Sequence, residues 1–374
     1  MAGRESLSAA RRLVVKIGSN ALCQPSGELD LGVLESVASE IGALAKGGRQ
    51  VILVTSGAVK IGLCRLGEKK AKDLPTRQAA AAVGQSELIA AYQRAFGAQG
   101  RPIAQILLTQ AELSDFRRYL HLSNVLNALV SRHGAIPVLN ENDPVSAAGV
   151  GIGENDRLAA LVAAKAEADL LVLLSDVEGF YTGNPAHDAQ ARLISEVEKI
   201  TPQMEALAEE ADDRGGRGGM KAKLEAATIA TRAGVGVVIA SSRTPRVLSR
   251  LLEGEEIGTL FAPASAKLQG RKRWIGFARH PKGKLIVDEG ASRALLEQGS
   301  SLLPVGIANV EGDFAPGDTV SVVDFSGKEI ARGLTNYSAD EVRLIRRCKT
   351  KEIEAKLGRH DYDEVIHRDN LVVL

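Results

Sequence analysis

Four short segments of the sequence concentrate residue types that handle phosphates and carboxylates. Lys16-Ile17-Gly18-Ser19-Asn20, Thr55-Ser56-Gly57-Ala58, Asn140-Glu141-Asn142-Asp143 and Ser175-Asp176 each close a run of Val, Ile and Leu. Gly, Asn and Asp also build ordinary turns, so one such segment implies no more than a turn. Four of them converging on one edge imply a site, because ligands of open parallel sheets bind outside the carboxyl ends of the strands. A fifth segment, Arg214 to Lys223, carries Gly215, Gly216, Gly218 and Gly219 ahead of a helical pattern. Glycines let the backbone approach phosphates closely, and a helix N-terminus offers unpaired N–H groups and a positive dipole. Lys221 and Lys223 stand where that dipole disfavours cations, so a nearby anion would offset their placement. Taken alone, the segment fits a flexible surface loop equally well. Gly153-Glu154-Asn155-Asp156-Arg157 opens a further helix, with Asn155 or Asp156 as N-cap, and a residue fixed by capping is well placed to touch a ligand.

Several chemistries lack their signatures. Met220-Lys221-Ala222 has no Ser or Thr after its lysine, so the glycine run is not a Walker loop. Lys16-Ile17-Gly18-Ser19 stands where a dinucleotide-binding fold carries G-x-G-x-x-G, and Gly149-Val150-Gly151-Ile152-Gly153 has the wrong spacing and follows no strand. His121, His133, His187, His280, His360 and His367 show no metal-ligand spacing, and none follows a core strand. Zinc chemistry and a Ser-His-Asp triad are therefore disfavoured. Cys23, Cys64 and Cys348 are far apart and odd in number, which points to free thiols in a reducing compartment.

The elements that must position the chemistry are legible as alternation. Segments 13–19, 50–58, 102–110, 136–143, 169–177 and 234–241 read as strands whose nearly continuous Val, Ile and Leu mark burial on both faces. Helical stretches at 31–48 and 157–168 lie between them, the second apolar almost all round. Repeated β–α–β units imply a three-layer αβα sandwich with a mainly parallel sheet. After about Leu260 the rhythm changes: 264–274 is polar and basic, and beyond it alternating residues with turns at Pro316-Gly317-Asp318 and Ser326-Gly327-Lys328 imply a small antiparallel β-barrel decorated by helices near 291–299 and 338–347. The expected division is a catalytic domain at 8–262, a linker at 263–276 and a β-rich module at 277–374.

Composition sets the outer bounds. A chain of 374 residues exceeds one comfortable core, so about two domains are expected. A net charge of +1 with 45% hydrophobic residues calls for neither disorder nor a strongly charged partner. Aromatics are only 3%, which makes the core aliphatic, as suits helices packed on a parallel sheet. No apolar run reaches the length of a bilayer span, and the opening dozen residues lack the apolar stretch of a signal peptide, so no membrane partner is expected and the cytoplasm is the expected compartment.

Taken together these motifs resemble the amino acid kinase family, in the branch that phosphorylates glutamate. The resemblance covers nearly the whole chain: VVKIGSN, VTSGA, AAVGQ at 81–85, LLTQ, PVLNENDPV, GENDRLAALVA, LLSDVEGFYT, RGGMKAK, and RKRW with VDEGA and SSLLP in the tail. NENDPV followed by GEND and GGMKAK, in that order, is its most specific part. Carbamate, acetylglutamate and aspartate kinases share the sheet but differ in the substrate loops, and a kinase of such another small carboxylate is the alternative reading. The resemblance implies transfer of the γ-phosphoryl of ATP, with magnesium, to the side-chain carboxylate of L-glutamate, giving L-glutamyl 5-phosphate, the first step of proline synthesis. It implies that Lys16 and Lys223 contact the phosphates and that Asp156 orients them. Ser56, Asp143 and Asn155 fall on glutamate-binding positions. Ser175, Asp176 and the stretch Arg217, Gly218, Gly219, Met220, Lys221, Ala222 and Lys223 fall on nucleotide-binding positions. The family often has Thr where Ser175 and Arg217 stand here. No protein ligand for magnesium is implied.

The same resemblance implies feedback inhibition by proline near 142–156, a homo-oligomer, and glutamate 5-semialdehyde dehydrogenase as functional partner. The tail resembles a PUA domain, a module better known for binding RNA, which makes an RNA-binding protein the reading from a different class. From Lys267 onward there are 18 Lys and Arg against 16 Asp and Glu. A surface that grips nucleic acid is usually far more basic, so no nucleic-acid partner is expected.

Overall fold

A computed structural model describes residues 3–109, 112–113, 116–146, 155–185, 187–188, 190–211, 219–263 and 281–374. The contacts divide the chain into two compact units, 1–267 and 268–374. The expected linker at 263–276 lies, apart from Pro263, outside the described residues.

The first unit begins with β1 (Arg12–Ile17), a one-turn α1 (Ser19–Leu22), α2 (Leu31–Lys46) and β2 (Gln50–Val54). There follow α3 (Ala58–Arg65), α4 (Leu74–Gly97), β3 (Ile103–Leu108), α5 (Phe116–Asn127) and β4 (Ile136–Glu141). Then come α6 (Asn155–Lys165), β5 (Leu170–Ser175), β6 (Glu196–Val197), α7 (Pro202–Ala211) and α8 (Met220–Arg232). β7 (Gly236–Ser241), α9 (Val247–Leu252) and β8 (Thr259–Phe261) complete it. The strands form one eight-stranded sheet in the order β3-β4-β2-β1-β5-β7-β8-β6. Every neighbouring pair is parallel except β7 with β8. The six Val-, Ile- and Leu-rich runs became its six long strands. β6 and β8, two and three residues long, carry no periodic pattern and were not foreseen.

Period-two alternation divides the central strand between two layers. Leu13, Val15 and Ile17 pack with Leu34, Val37 and Ile41 of α2 and Leu88, Tyr92 and Phe96 of α4. Lys16 belongs to the other face, where α6 packs against β1 and α8. Leu158 to Lys165 of α6 are all buried, as the all-round apolar pattern requires. Together these helices and the sheet make the expected three layers.

In the second unit, β9 (Gly283–Val287), α10 (Glu289–Gln298), β10 (Ile307–Gly312), β11 (Thr319–Val323), β12 (Glu329–Leu334), α11 (Ala339–Ile345), α12 (Ile353–Leu357) and β13 (Leu371–Val373) follow in turn. The sheet order is β10-β9-β11-β12-β13. Three pairings are antiparallel, but β11 runs parallel to β9, so the wholly antiparallel arrangement expected of this module is corrected. Alternation reports which face of a strand is buried and says nothing of which strand lies beside it. The core joins Leu285, Val287, Val320, Val322 and Ile330 to Val342 and Ile345 of α11, whose start is fixed by a Ser338–Glu341 capping box.

Candidate active site

Register brings the strand ends to one edge. Lys16 lies opposite Val54 on one side and Leu173 on the other, so the residues after β1, β2 and β5 emerge side by side. The amide of Thr55 donates to the Leu139 carbonyl at 2.9 Å, which brings Asn140 level with Ser56. Thr55 Oγ1 also lies 3.0 Å from the buried Tyr92 hydroxyl of α4, and burial pushes that phenol up. Gly57 turns the chain into α3 at φ 105°, a left-handed conformation that suits glycine. A Cβ there would come 3.0 Å from Cys23 Sγ. Burial holds that thiol up at about 11, so Cys23 is neutral and acts as packing.

These ends open into a cleft of about 280 Å³. At its base, Lys16 Nζ lies 2.6 Å from Asp156 Oδ1, and Lys223 Nζ lies 3.8 Å from Asp156 Oδ2. All three residues are buried, with exposures of 4%, 5% and 0% for Lys16, Lys223 and Asp156. Asp156 sits in the first turn of α6, where the helix dipole favours a carboxylate. Two ammonium groups share one carboxylate in a site screened from water, so the trio carries a surplus positive charge. A phosphoryl group placed between the two lysines would balance it with charge-assisted hydrogen bonds.

A polar wall stands beside this base. Asn155 Nδ2 donates to Ser56 Oγ at 3.1 Å and to Asn140 Oδ1 at 2.9 Å, and Asn140 Nδ2 donates to Gln85 Oε1 at 2.8 Å. Asn155 Oδ1 is buried and accepts nothing among the described residues, leaving an acceptor for a donor on a ligand. Asp143 Oδ1 lies 3.2 Å from Arg77 Nη2. On the opposite side, Ser175 Oγ donates to Asp176 Oδ1 at 3.0 Å.

The wall holds its shape because α3 and α4 touch backbone to backbone. A Cβ on Gly62 would lie 1.7 Å from the Ala80 carbonyl oxygen, and one on Gly84 would lie 1.9 Å from that of Ala58. The glycine of the AAVGQ motif thus has a packing duty.

Residues 11–241 match the amino acid kinase family, and residues 283–357 match the PUA domain. A glutamate 5-kinase of Moorella thermoacetica is 48% identical over 372 residues, covering 99% of this chain and 98% of that protein. The chain belongs to the amino acid kinase family, in its glutamate 5-kinase branch. A glutamate 5-kinase of Caldanaerobacter subterraneus subsp. tengcongensis is 47% identical over 364 residues, covering 97% of this chain and 98% of that protein. Among solved structures, a carbamate kinase from Giardia lamblia bound to AMP-PNP is similar with a TM-score of 0.49 and 20% identity, covering 68% of this chain and 99% of that one.

Membership of a kinase family brings with it the use of ATP as phosphoryl donor. Of the residues singled out in the sequence, Lys16, Ser56, Asp143, Asn155, Asp156, Ser175, Asp176 and Lys223 all line the cleft of this glutamate 5-kinase relative. Lys221 does not. Its ammonium lies 2.6 Å from Glu209 Oε1 of α7, on a half-exposed surface. Positions two apart on a helix diverge by about 200°, so Lys221 and Lys223 cannot serve one cleft together. Met220 and Ala222 are likewise absent from the cleft wall, and Gly219 enters only as the start of α8, its carbonyl 3.4 Å from Lys223 Nζ. Arg217 and Gly218 lie outside the described residues, as do Gly153 and Glu154.

Sequence reasoning passed over Lys60 and Arg77 as site residues, and Gln85, which holds Asn140 from behind the cleft wall. Arg77 stands in the first turn of α4, just past the Asp73 cap and Pro75. The reasoning that a cation at a helix N-terminus implies a nearby anion, applied there, finds it. No described helix is long and apolar enough to cross a membrane.

Proposed function

We propose that the chain transfers the γ-phosphoryl group of ATP to the side-chain carboxylate of L-glutamate. The observation that carries this reading is the convergence of Lys16 and Lys223, some two hundred residues apart in sequence, on the single carboxylate of Asp156. A carboxylate oxygen of the substrate attacks the γ-phosphorus, the bond to the bridging oxygen breaks, and ADP departs with that electron pair. The protein supplies no nucleophile, so its share is positioning and charge stabilisation. Lys16 and Lys223 flank the migrating group, and Asp156 holds both ammonium groups in place. Ser56 and Asn155 orient the acceptor, Asp143 takes the substrate ammonium, and Ser175 and Asp176 with the start of α8 face the nucleotide. That the relatives are glutamate 5-kinases supports the choice of glutamate over another small carboxylate.

Magnesium fits as a companion of the nucleotide. No group of three or more metal-ligating side chains occurs among the described residues. Asp156, Asp143 and Asp176 are already engaged by Lys, Arg and hydroxyl donors, which suits an ion held mainly by phosphates and water rather than a protein cage. When bound, the ion offsets charge on the β- and γ-phosphates. The reading extends to proline synthesis in the cytoplasm, inhibition by proline near 142–156, a homo-oligomer, and glutamate 5-semialdehyde dehydrogenase as the consumer of the acyl phosphate.

Hydroxylamine traps acyl phosphates as hydroxamates. Purified protein with ATP, magnesium and L-glutamate is expected to yield glutamate-dependent hydroxamate, suppressed by proline. Hydroxamate formed only with carbamate, acetylglutamate or aspartate would replace glutamate as the substrate.

A further inference from the structure

Among the described residues, the cleft wall holds four cationic side chains: Lys16, Lys60, Arg77 and Lys223. Lys16 and Lys223 converge on Asp156, and Arg77 is paired with Asp143. Among the described residues, Lys60 pairs with no carboxylate. It projects from the first turn of α3, four residues after Ser56, and shares its part of the wall with Ser19, Asn20, Ala21 and Leu63. Its charge acts on the Cys23 thiol behind Gly57, partly opposing the effect of burial there.

The substrate class sets what is missing. L-Glutamate brings two carboxylates and one ammonium. The acceptor carboxylate belongs at the Lys16–Lys223 clamp, and the ammonium belongs at Asp143. Nothing in that set takes the second carboxylate. An anion placed there without a cation would be strongly disfavoured in a partly desolvated cleft.

We infer that Lys60 is the specificity-determining cation that binds the α-carboxylate of the amino-acid substrate. The inference rests on the glutamate reading and deepens it. Lys60 contacts the end of the substrate that does not react, so it governs which acids are accepted and leaves the clamp alone.

The test compares L-glutamate with its α-amide, L-isoglutamine, which keeps the ammonium and the reacting carboxylate but loses the second charge. In the unsubstituted protein, kcat/KM for the amide is expected to fall about 10- to 100-fold below that for glutamate, the usual range for one charge-assisted contact. In Lys60→Met, kcat/KM for glutamate should fall by a similar factor with KM for ATP unchanged, and the two substrates should come within about threefold of each other, as a double-mutant cycle requires when both changes remove one contact. Lys60→Arg should restore much of the discrimination. Full discrimination retained in Lys60→Met, or a raised KM for ATP in its place, overturns the role of Lys60. Absence of turnover with glutamate in the unsubstituted protein overturns the glutamate reading itself.

Discussion

The two units of the molecule use the same charged residue types in opposite ways. In the first, Lys16, Lys223 and Asp156 are buried, with two ammonium groups drawn to one carboxylate. In the second, charges sit at the surface and cancel locally. Arg359 lies 2.5 Å from Glu341 and 3.1 Å from Asp361, and Arg343 lies 2.6 Å from Asp340. These pairs raise the Arg359 pKa and help to lower that of Glu341, yet exposure leaves them worth little. Burial separates a charge arrangement that needs a ligand from one that is already complete, whatever the count of lysines and arginines.

The sharpest way to break this contrast is to remove one clamp lysine. Lys16→Ala or Lys223→Ala is expected to cut turnover about 10²- to 10³-fold, the effect of deleting one donor to a developing charge, while the protein stays folded. Wild-type turnover in both variants, measured with circular dichroism as the folding control, would reduce the buried trio to a structural ion pair.

A middle case sharpens it. Lys165 at the end of α6 is buried and donates to the Leu113 carbonyl at 2.7 Å, and desolvation lowers its pKa from 10.5 to about 7. Between pH 7 and 10.5 the unfolded chain holds a proton that the native state has released, so this group makes stability rise with pH across that window and adds no slope below it. Denaturant midpoints at pH 6, 8 and 10 should therefore climb in the native protein more than in Lys165→Met. Equal slopes in the two would show that the lysine keeps its proton in the fold.

The smallest effect belongs to the second unit. Arg359→Ala should shift Tm by less than about 3 °C and leave turnover intact. A large loss of either would give that surface pair a weight its exposure does not explain.

Much of the first unit was legible because a strand buried on both faces can hardly be anything but a run of Val, Ile and Leu. The strand ends were legible for the same reason: polar residues that halt such a run must face something other than core. The edge formed by β6 and β8 was not, since two or three residues are too few to show a period. Within the site, Lys16, Ser56 and Asn140-Glu141-Asn142-Asp143 were marked by their strands. The pairing of Lys16 with Lys223 came from resemblance, because no local pattern links positions so distant. Lys221 shows the limit of spacing arguments: standing in the right turn of a helix does not fix the right side of it. Lys60 and Arg77 lie on helices that follow the turns, and only the packing of α3 on α4 decides which of their side chains reach the cleft.

That packing has a consequence for how this enzyme can change. With Gly62 and Gly84 letting the two backbones touch, the helices bearing Lys60 and Arg77 behave as one casting. A methyl group at either glycine would displace both cations together, so this crossing offers the pocket no small step by which to widen. Tolerance for a bulkier or shorter acid must be sought in side chains at the rim, and lineages that altered this crossing would have had to rebuild the whole wall at once.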